Sequence, residues 1–280
     1  MRADSSFHTR NAVHVLGALC FVLCLSAPLS AQWIHLPSRG VPRRADGSPN
    51  LEAPAPKTPQ GKPDFSGMWL ARDFLPCKES PESIPCAQRF KLAPEAVAIG
   101  AGLKDGLPLR PWAVELVKRR QKEIDPHTRC MPPNFPRAWS FPEYQKFLQA
   151  PELLVVLHEF NASYRQIFLD GRKFPEDMTP AWSGYSIGHW EGPTLVVESR
   201  GFRDDSWLDI DGTPLTDAAV ITEHIRRPNF GSLDIDVTVD DAKAYLRPWT
   251  VNLHEKIVLD TEMMDLMCLE NEKDIARMIK

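Results

Sequence analysis

The chain has 280 residues, of which 43% are hydrophobic and 25% charged, an ordinary globular composition. Its formal charge of −4 gives no electrostatic reason to expect nucleic acid or an anionic membrane surface as a partner. The 26 prolines, most of them before residue 180, argue against a dense helical bundle and for long ordered connections.

Arg2 and Arg10 precede an apolar run, Val15 to Ala27, and Leu29-Ser30-Ala31 offers a small-residue cleavage site. Residues 1–31 are therefore expected to be a signal peptide cut after Ala31, sending the protein to the periplasm or outside the cell. An uncleaved anchor is the alternative, but a run of about 13 residues falls short of the ~20 a span requires. No further membrane span follows. Residues 32–64 form a Pro-rich arm with an internal echo, Gly47-Ser48-Pro49-Asn50-Leu51 and Gly61-Lys62-Pro63-Asp64-Phe65. Each copy reads as a turn leading into an extended anchor, so the arm is either a strap lying on the domain or a flexible tether.

The domain is expected over 65–280, opening with a strand at Phe65–Leu70. Four cysteines follow the leader: Cys77, Cys86, Cys130 and Cys268. In an oxidising compartment they suggest a local Cys77–Cys86 bridge and a long-range Cys130–Cys268 bridge. A zinc site lacks CxxC spacing, and free buried cysteines are a further alternative. Pro111 to Ile124 reads as one amphipathic helix, with Pro111 at its first position and Trp112, Leu116, Val117 and Ile124 on one face. Its late Lys118, Arg119, Arg120 and Lys122 suit the negative end of the helix dipole. They read as a solvated face rather than an interaction patch.

From Leu153 the pattern is of strands: 153–160, 164–170, 184–190, 194–199, 219–227, 232–240, 249–257 and 262–269. Short polar links join them in pairs, which demands antiparallel neighbours. Alternation is clearest in SLDIDVTVD, where Leu233, Ile235, Val237 and Val239 share one face. With the first strand this makes about nine, and a large twisted meander tends to close. The expected fold is mostly β, an antiparallel up-and-down barrel with one helix. Within 184–190, Tyr185, Ile187 and His189 share one face, while Ser186, Gly188 and Trp190 share the other; Glu191-Gly192 supplies the turn.

Gly67-Met68-Trp69 at the start of this meander resembles the GxW signature of lipocalin-like barrels. That resemblance implies an arginine after the last strand covering the Trp, for which Arg277 is available. Tyr164 to Asp209, together with Glu223, Arg227, Asp240-Asp241 and Pro248-Trp249-Thr250, resembles an uncharacterised family of secreted bacterial proteins. The Gly-x-Pro-Asp-[Leu/Phe]-Ser-Gly-x-Trp start extends the likeness over nearly all of the mature chain. Pro193 stands where that family carries Asp, and TEHIRR replaces TERFRR. The resemblance implies secretion and a barrel but no reaction.

Candidate chemistry is sparse. No two histidines show metal-site spacing, although His158, His189, His224 and His254 sit on different strands and could converge inside a barrel. Gly184-Tyr185-Ser186-Ile187-Gly188 matches GxSxG in letters only, since its serine lies inside a strand rather than on a strand–helix elbow. Asp204, Asp205, Asp209 and Asp211 cluster without EF-hand spacing. Glu159, Glu223 and Asp209 are the acids an acid–base enzyme would use, with Arg165 holding an anionic group. The bland alternative is ion pairing, Glu223 with Arg165 for example. Arg165, Tyr185, His189, Trp182, Trp207 and Arg226 are the residues expected to line a ligand cavity, with Trp249 a further aromatic candidate. The favoured expectation is a small, partly apolar ligand inside the barrel. An enzyme, or an interaction module using the arm, are the rivals. No cofactor is implied, and the oligomeric state is left open.

Overall fold

The computed structural model describes residues 36–71, 99–100, 103–141 and 143–269. The expected leader, the Cys77–Cys86 bridge and Arg277 lie outside the described residues. The arm is folded back on itself in two similar turns, bridged at Arg43 and Pro49 and again at Lys57 and Pro63. It lies on the barrel: the amides of Phe230 and Gly231 donate to the carbonyls of Ala53 and Leu51. Of the two expectations for this segment, the strap is the one observed.

Nine strands close into a barrel. In chain order they are β1 (Gly67–Ala71), β2 (Gln145–Gln149), β3 (Leu153–His158), β4 (Ser163–Phe168), β5 (Tyr185–Glu191), β6 (Thr194–Arg200), β9 (Val220–Asn229), β10 (Ser232–Asp240) and β11 (Trp249–Val258). Between β6 and β9 the short β7 (Ser206–Trp207) and β8 (Pro214–Leu215) form a separate hairpin. Around the ring the order is β1, β11, β10, β9, β6, β5, β4, β3, β2. Two strands differ from expectation. QKFLQ at 145–149 is a barrel strand that the sequence reading passed over. The expected strand at 262–269 is not one: only Leu266 bridges, to Phe160, because β11 before it and β3 beside Phe160 are already paired on both edges.

Closure with nine strands has a geometric consequence. Direction reverses at every antiparallel junction, and a closed ring must return to its starting direction, so the number of reversals is even. At least one of nine junctions must be parallel. It falls between β4 and β5, which meet only at Ile167 opposite Ser186 and Phe168 opposite Ile187. The link 169–184 is long enough for the parallel crossover that a hairpin turn could not make. By contrast, β10 pairs with β11 along Ser232–Val239 and with β9 over nearly its whole length.

Inside, the alternation read in SLDIDVTVD holds: Leu233, Ile235, Val237 and Val239 are buried. They join Leu154, Val156, Ile167, Leu195 and Val197 in one apolar core. Each such side chain contributes about 1.5–3 kcal/mol on burial. A 3-10 turn, Arg137–Ser140, is wholly buried and enters this interior. Its Trp139 packs on Phe147 of β2, with ring centroids 5.6 Å apart, and donates through Nε1 to Glu223 of β9 at 2.5 Å. Because β2 and β9 stand on opposite sides of the ring, one side chain bridges the lumen at this level.

The helix α1 runs Pro111–Arg120, shorter than expected, and its packed face differs. Trp112 is half exposed, while Ala113 and Arg120 are buried. Arg120 turns inward to donate to the Gly212 carbonyl at 3.1 Å and covers the Trp207 ring. Cys130 and Cys268 form the expected disulfide, Cα atoms 5.4 Å apart. The residue covering the GxW tryptophan is Arg227 from β9: its guanidinium sits 4.8 Å from the Trp69 ring and donates to the Phe230 carbonyl at 2.5 Å. Burial lowers that guanidinium to about 10.

Candidate functional site

The ion pair between Arg165 and Glu223 exists, but it is not one between neighbours on a sheet face. Arg165 points inward from β4 and Glu223 inward from β9, and both are almost completely buried. Arg165 Nη1 and Nη2 donate to the two carboxylate oxygens, Nε donates to Ser186 Oγ at 3.0 Å, and Nη2 also reaches Ser199 Oγ at 2.8 Å. One guanidinium on β4 is thereby joined to β5, β6 and β9. The main chain contributes little at the β4–β5 junction, so this side-chain network holds the seam closed from within. A buried ion pair offsets its desolvation cost only when its remaining donors and acceptors are satisfied, and here they nearly all are. The Phe135 ring, 4.9 Å from the guanidinium, seals one side.

Outside that network the two strands diverge, leaving a cleft of about 460 Å³ between residues 161–168 and 181–186. Its walls carry Tyr164, Phe168, Trp182 and Tyr185; Arg165 and Ser186 also line it, and Pro132 and Asn161 stand at one side. Tyr164 is 63% exposed, so an aromatic ring is presented to solvent rather than to the core. Gly184 has φ +63°, and a Cβ there would come within 2.6 Å of the Arg200 carbonyl, so glycine lets the chain turn at this wall. Asn161 ties this side to the disulfide, donating to the Cys130 carbonyl at 2.6 Å and accepting from the Cys268 amide at 3.0 Å. Tyr185 stacks on Phe168, and its hydroxyl accepts from Arg172 at 3.1 Å.

Arg165, Tyr185 and Trp182, three of the residues expected to line a cavity, are brought together here, though at the wall of the barrel and not in its lumen. The other three are elsewhere. His189 is on the outer face beside Glu191, Nε2 to Oε1 3.1 Å. Trp207 is buried in the β7–β8 hairpin under Arg120. Arg226 pairs on the outside with Asp236 at 2.7 Å. The face pairing within β5 is as read, and the inward set is Ser186, Gly188 and Trp190. A Cβ on Gly188 would come within 2.9 Å of Leu169 Cδ2 and 3.2 Å of the Val196 carbonyl, so the position is tight. The sequence reading missed Tyr164 and Phe168. Tyr164 sits at an outward, alternate position beside a short turn, where an exposed ring carries no sequence signal of a ligand contact.

The acids expected for catalysis each have structural work. Glu159 Oε2 accepts from the Tyr144 amide at 3.1 Å. Asp209 accepts from the Thr213 amide and hydroxyl and from the Ile99 amide; burial still raises its pKa against those bonds. Glu223 belongs to the Arg165 network. Ser186 is likewise committed there, inside β5 and not on an elbow. The four strand histidines do not converge: His158 is buried, whereas His189 and His254 pair outside with Glu191 and Asp234. No group of three metal-binding side chains occurs among the described residues.

Two further features stand apart from the cleft. Glu255 on β11 is completely buried, and neither of its oxygens has a hydrogen-bond partner, so desolvation pushes its carboxyl well above the usual range. His127 lies between Phe141 and Phe160, with centroids 4.5 and 4.1 Å away. Burial lowers His127 to about 4, helped by Arg137, and lowers His158 to about 4 as well. No helix among the described residues is long and apolar enough to cross a membrane. Comparison with protein-family models and with curated proteins finds no match.

Proposed function

We propose that this protein binds a small, partly apolar, uncharged molecule in the cleft between β4 and β5. The observation that carries the reading is the aromatic-walled space of about 460 Å³ at the one parallel junction, within the range of small-ligand sites. A lumen site is disfavoured because Trp139 and the Arg165–Glu223 pair occupy the interior. The charge of Arg165 is already neutralised by Glu223, so the cleft floor offers hydrogen bonds without a net attraction for anions. The protein acts outside the cytoplasm: the leader-like residues 1–31 and the Cys130–Cys268 disulfide both suit an oxidising compartment. A mature protein whose mass begins at Gln32 checks the export step.

Titration with the neutral, environment-sensitive dye Nile red tests the site. Trp182→Ala and Tyr164→Ala should each weaken binding at least tenfold, while His189→Ala and Arg226→Ala should leave it unchanged. Equal binding by all four variants would overturn the assignment of the cleft.

A further inference from the structure

We propose that the ligand of this cleft is a short extended peptide, laid against β4 as an added strand. The inference rests on the cleft being the binding site and adds the chemistry of what fills it. Parity puts one parallel junction in this barrel, and that junction pairs at only two positions, at the end of β4. From Ser163 to Gln166, β4 is bonded to β3 along one side and has no strand partner along the other among the described residues. Alternate peptide groups of that stretch therefore face the cleft. An otherwise closed barrel thus retains a short stretch of strand edge, the feature that most β-proteins cover or twist away.

An edge of this kind recognises main chain. Hydrogen bonds to an added strand supply affinity, and alternate side chains of the peptide fall to opposite faces, where pockets choose among them. Here the outward face offers the rings of Tyr164 and Trp182, and the inward face meets Ser186 and the stem of Arg165. The length agrees: Ser163–Gln166 at ~3.3 Å per residue gives an edge of about 13 Å, enough for about four peptide residues. Charge agrees too. Four of the five guanidinium N–H groups on Arg165 are engaged by Glu223, Ser186 and Ser199, so the floor has little to offer a carboxylate or phosphate. A neutral backbone with apolar side chains fits what is left.

Equilibrium dialysis of the full-length protein against a pooled library of N-acetylated, C-amidated tetrapeptides, read by mass spectrometry, tests this, with the same library N-methylated at every amide as control. The expected result is retention of a subset rich in aromatic or aliphatic residues, lost at least tenfold on N-methylation and in Trp182→Ala. Equal retention of the N-methylated pool would overturn backbone recognition while leaving the cleft as a binding site. Retention of no peptide, with Nile red still bound in a Trp182-dependent way, would overturn it likewise. Failure of both probes would remove the cleft reading itself.

Discussion

Two junctions of the same barrel are built in opposite ways. Where β10 meets β11, the main chain supplies a ladder from Ser232 to Val239, and the inward side chains of β10 are plain aliphatics. Where β4 meets β5, the ladder is two residue pairs long, and a buried arginine, a glutamate and two serines hold the strands instead. Ladder bonds are local and leave no space. A side-chain clamp acts from inside and lets the outer edges part, so a cleft appears at the one parallel junction, where the ladder is short. The interior acids repeat the contrast: Glu223 at the clamp has three donors, whereas Glu255 on the laddered wall has none.

The comparison can be broken at the clamp. Arg165→Met leaves Glu223 buried with Trp139 as its remaining donor, and removing one member of a buried pair costs about 3–5 kcal/mol. Chemical denaturation should show that loss, and hydrogen exchange should rise first at the β4–β5 seam. The double variant Arg165→Met/Glu223→Leu should recover much of the stability, since apolar replacement of both partners is often neutral. If Arg165→Met behaves like a surface substitution, the clamp does not hold the seam.

The unpaired acid should behave in the reverse sense. The folded state keeps the Glu255 proton, whereas the unfolded chain releases it above about 4.5. Relative to a variant lacking this acid, wild-type stability should therefore fall as pH rises past that value, by up to about 1.4 kcal/mol per pH unit. Glu255→Leu should flatten this alkaline arm and gain about 1–3 kcal/mol at pH 7. His127 and His158, lowered to about 4, give the acid arm: the unfolded chain takes up protons below 6.5 that the fold refuses. These histidines contribute a drop in stability as pH falls from 6.5 through 4, which Glu255 opposes down to about 4.5, so Glu255→Leu should steepen it. Denaturation curves from pH 4 to 9 separate the two arms.

Within the clamp, Ser186→Ala leaves one guanidinium N–H without its acceptor and should cost about 1–3 kcal/mol. On the outer face of the β9–β10 ladder, Arg226→Ala removes a solvent-exposed pair and should cost about 0.2–1 kcal/mol by thermal denaturation. The ordering of these two is the sharper statement: inside the seam a neutral hydroxyl outweighs a full charge on the ladder.

Much of the barrel was legible because a half-buried strand alternates. SLDIDVTVD and WTVNLHEKI carry that period openly, and both are strands. QKFLQ was passed over because five residues among prolines carry too short a pattern, and EMMDLMCL was overread because an apolar run says nothing about whether a partner edge remains. The seam was within reach of reasoning: nine strands and closure together require a parallel junction, and only the links 72–144, 169–184 and 201–219 between successive barrel strands are long enough to make one. Choosing between those links needs the fold. The pairing of Arg165 with Glu223 was named correctly, but its place across the lumen depends on which strands face each other. That placement also decides that Arg165 and Tyr185 share a cleft, whereas His189, on the same face as Tyr185, lies two strand repeats away at the far end of β5.

The claim that the ligand sits at the seam is tested most directly by hydrogen exchange on the full-length protein with and without saturating Nile red. Protection should increase at least tenfold in residues 161–168 and 181–187, with 220–240 and 249–258 unchanged. Protection confined to those last two stretches would place the ligand against the laddered wall and contradict the account.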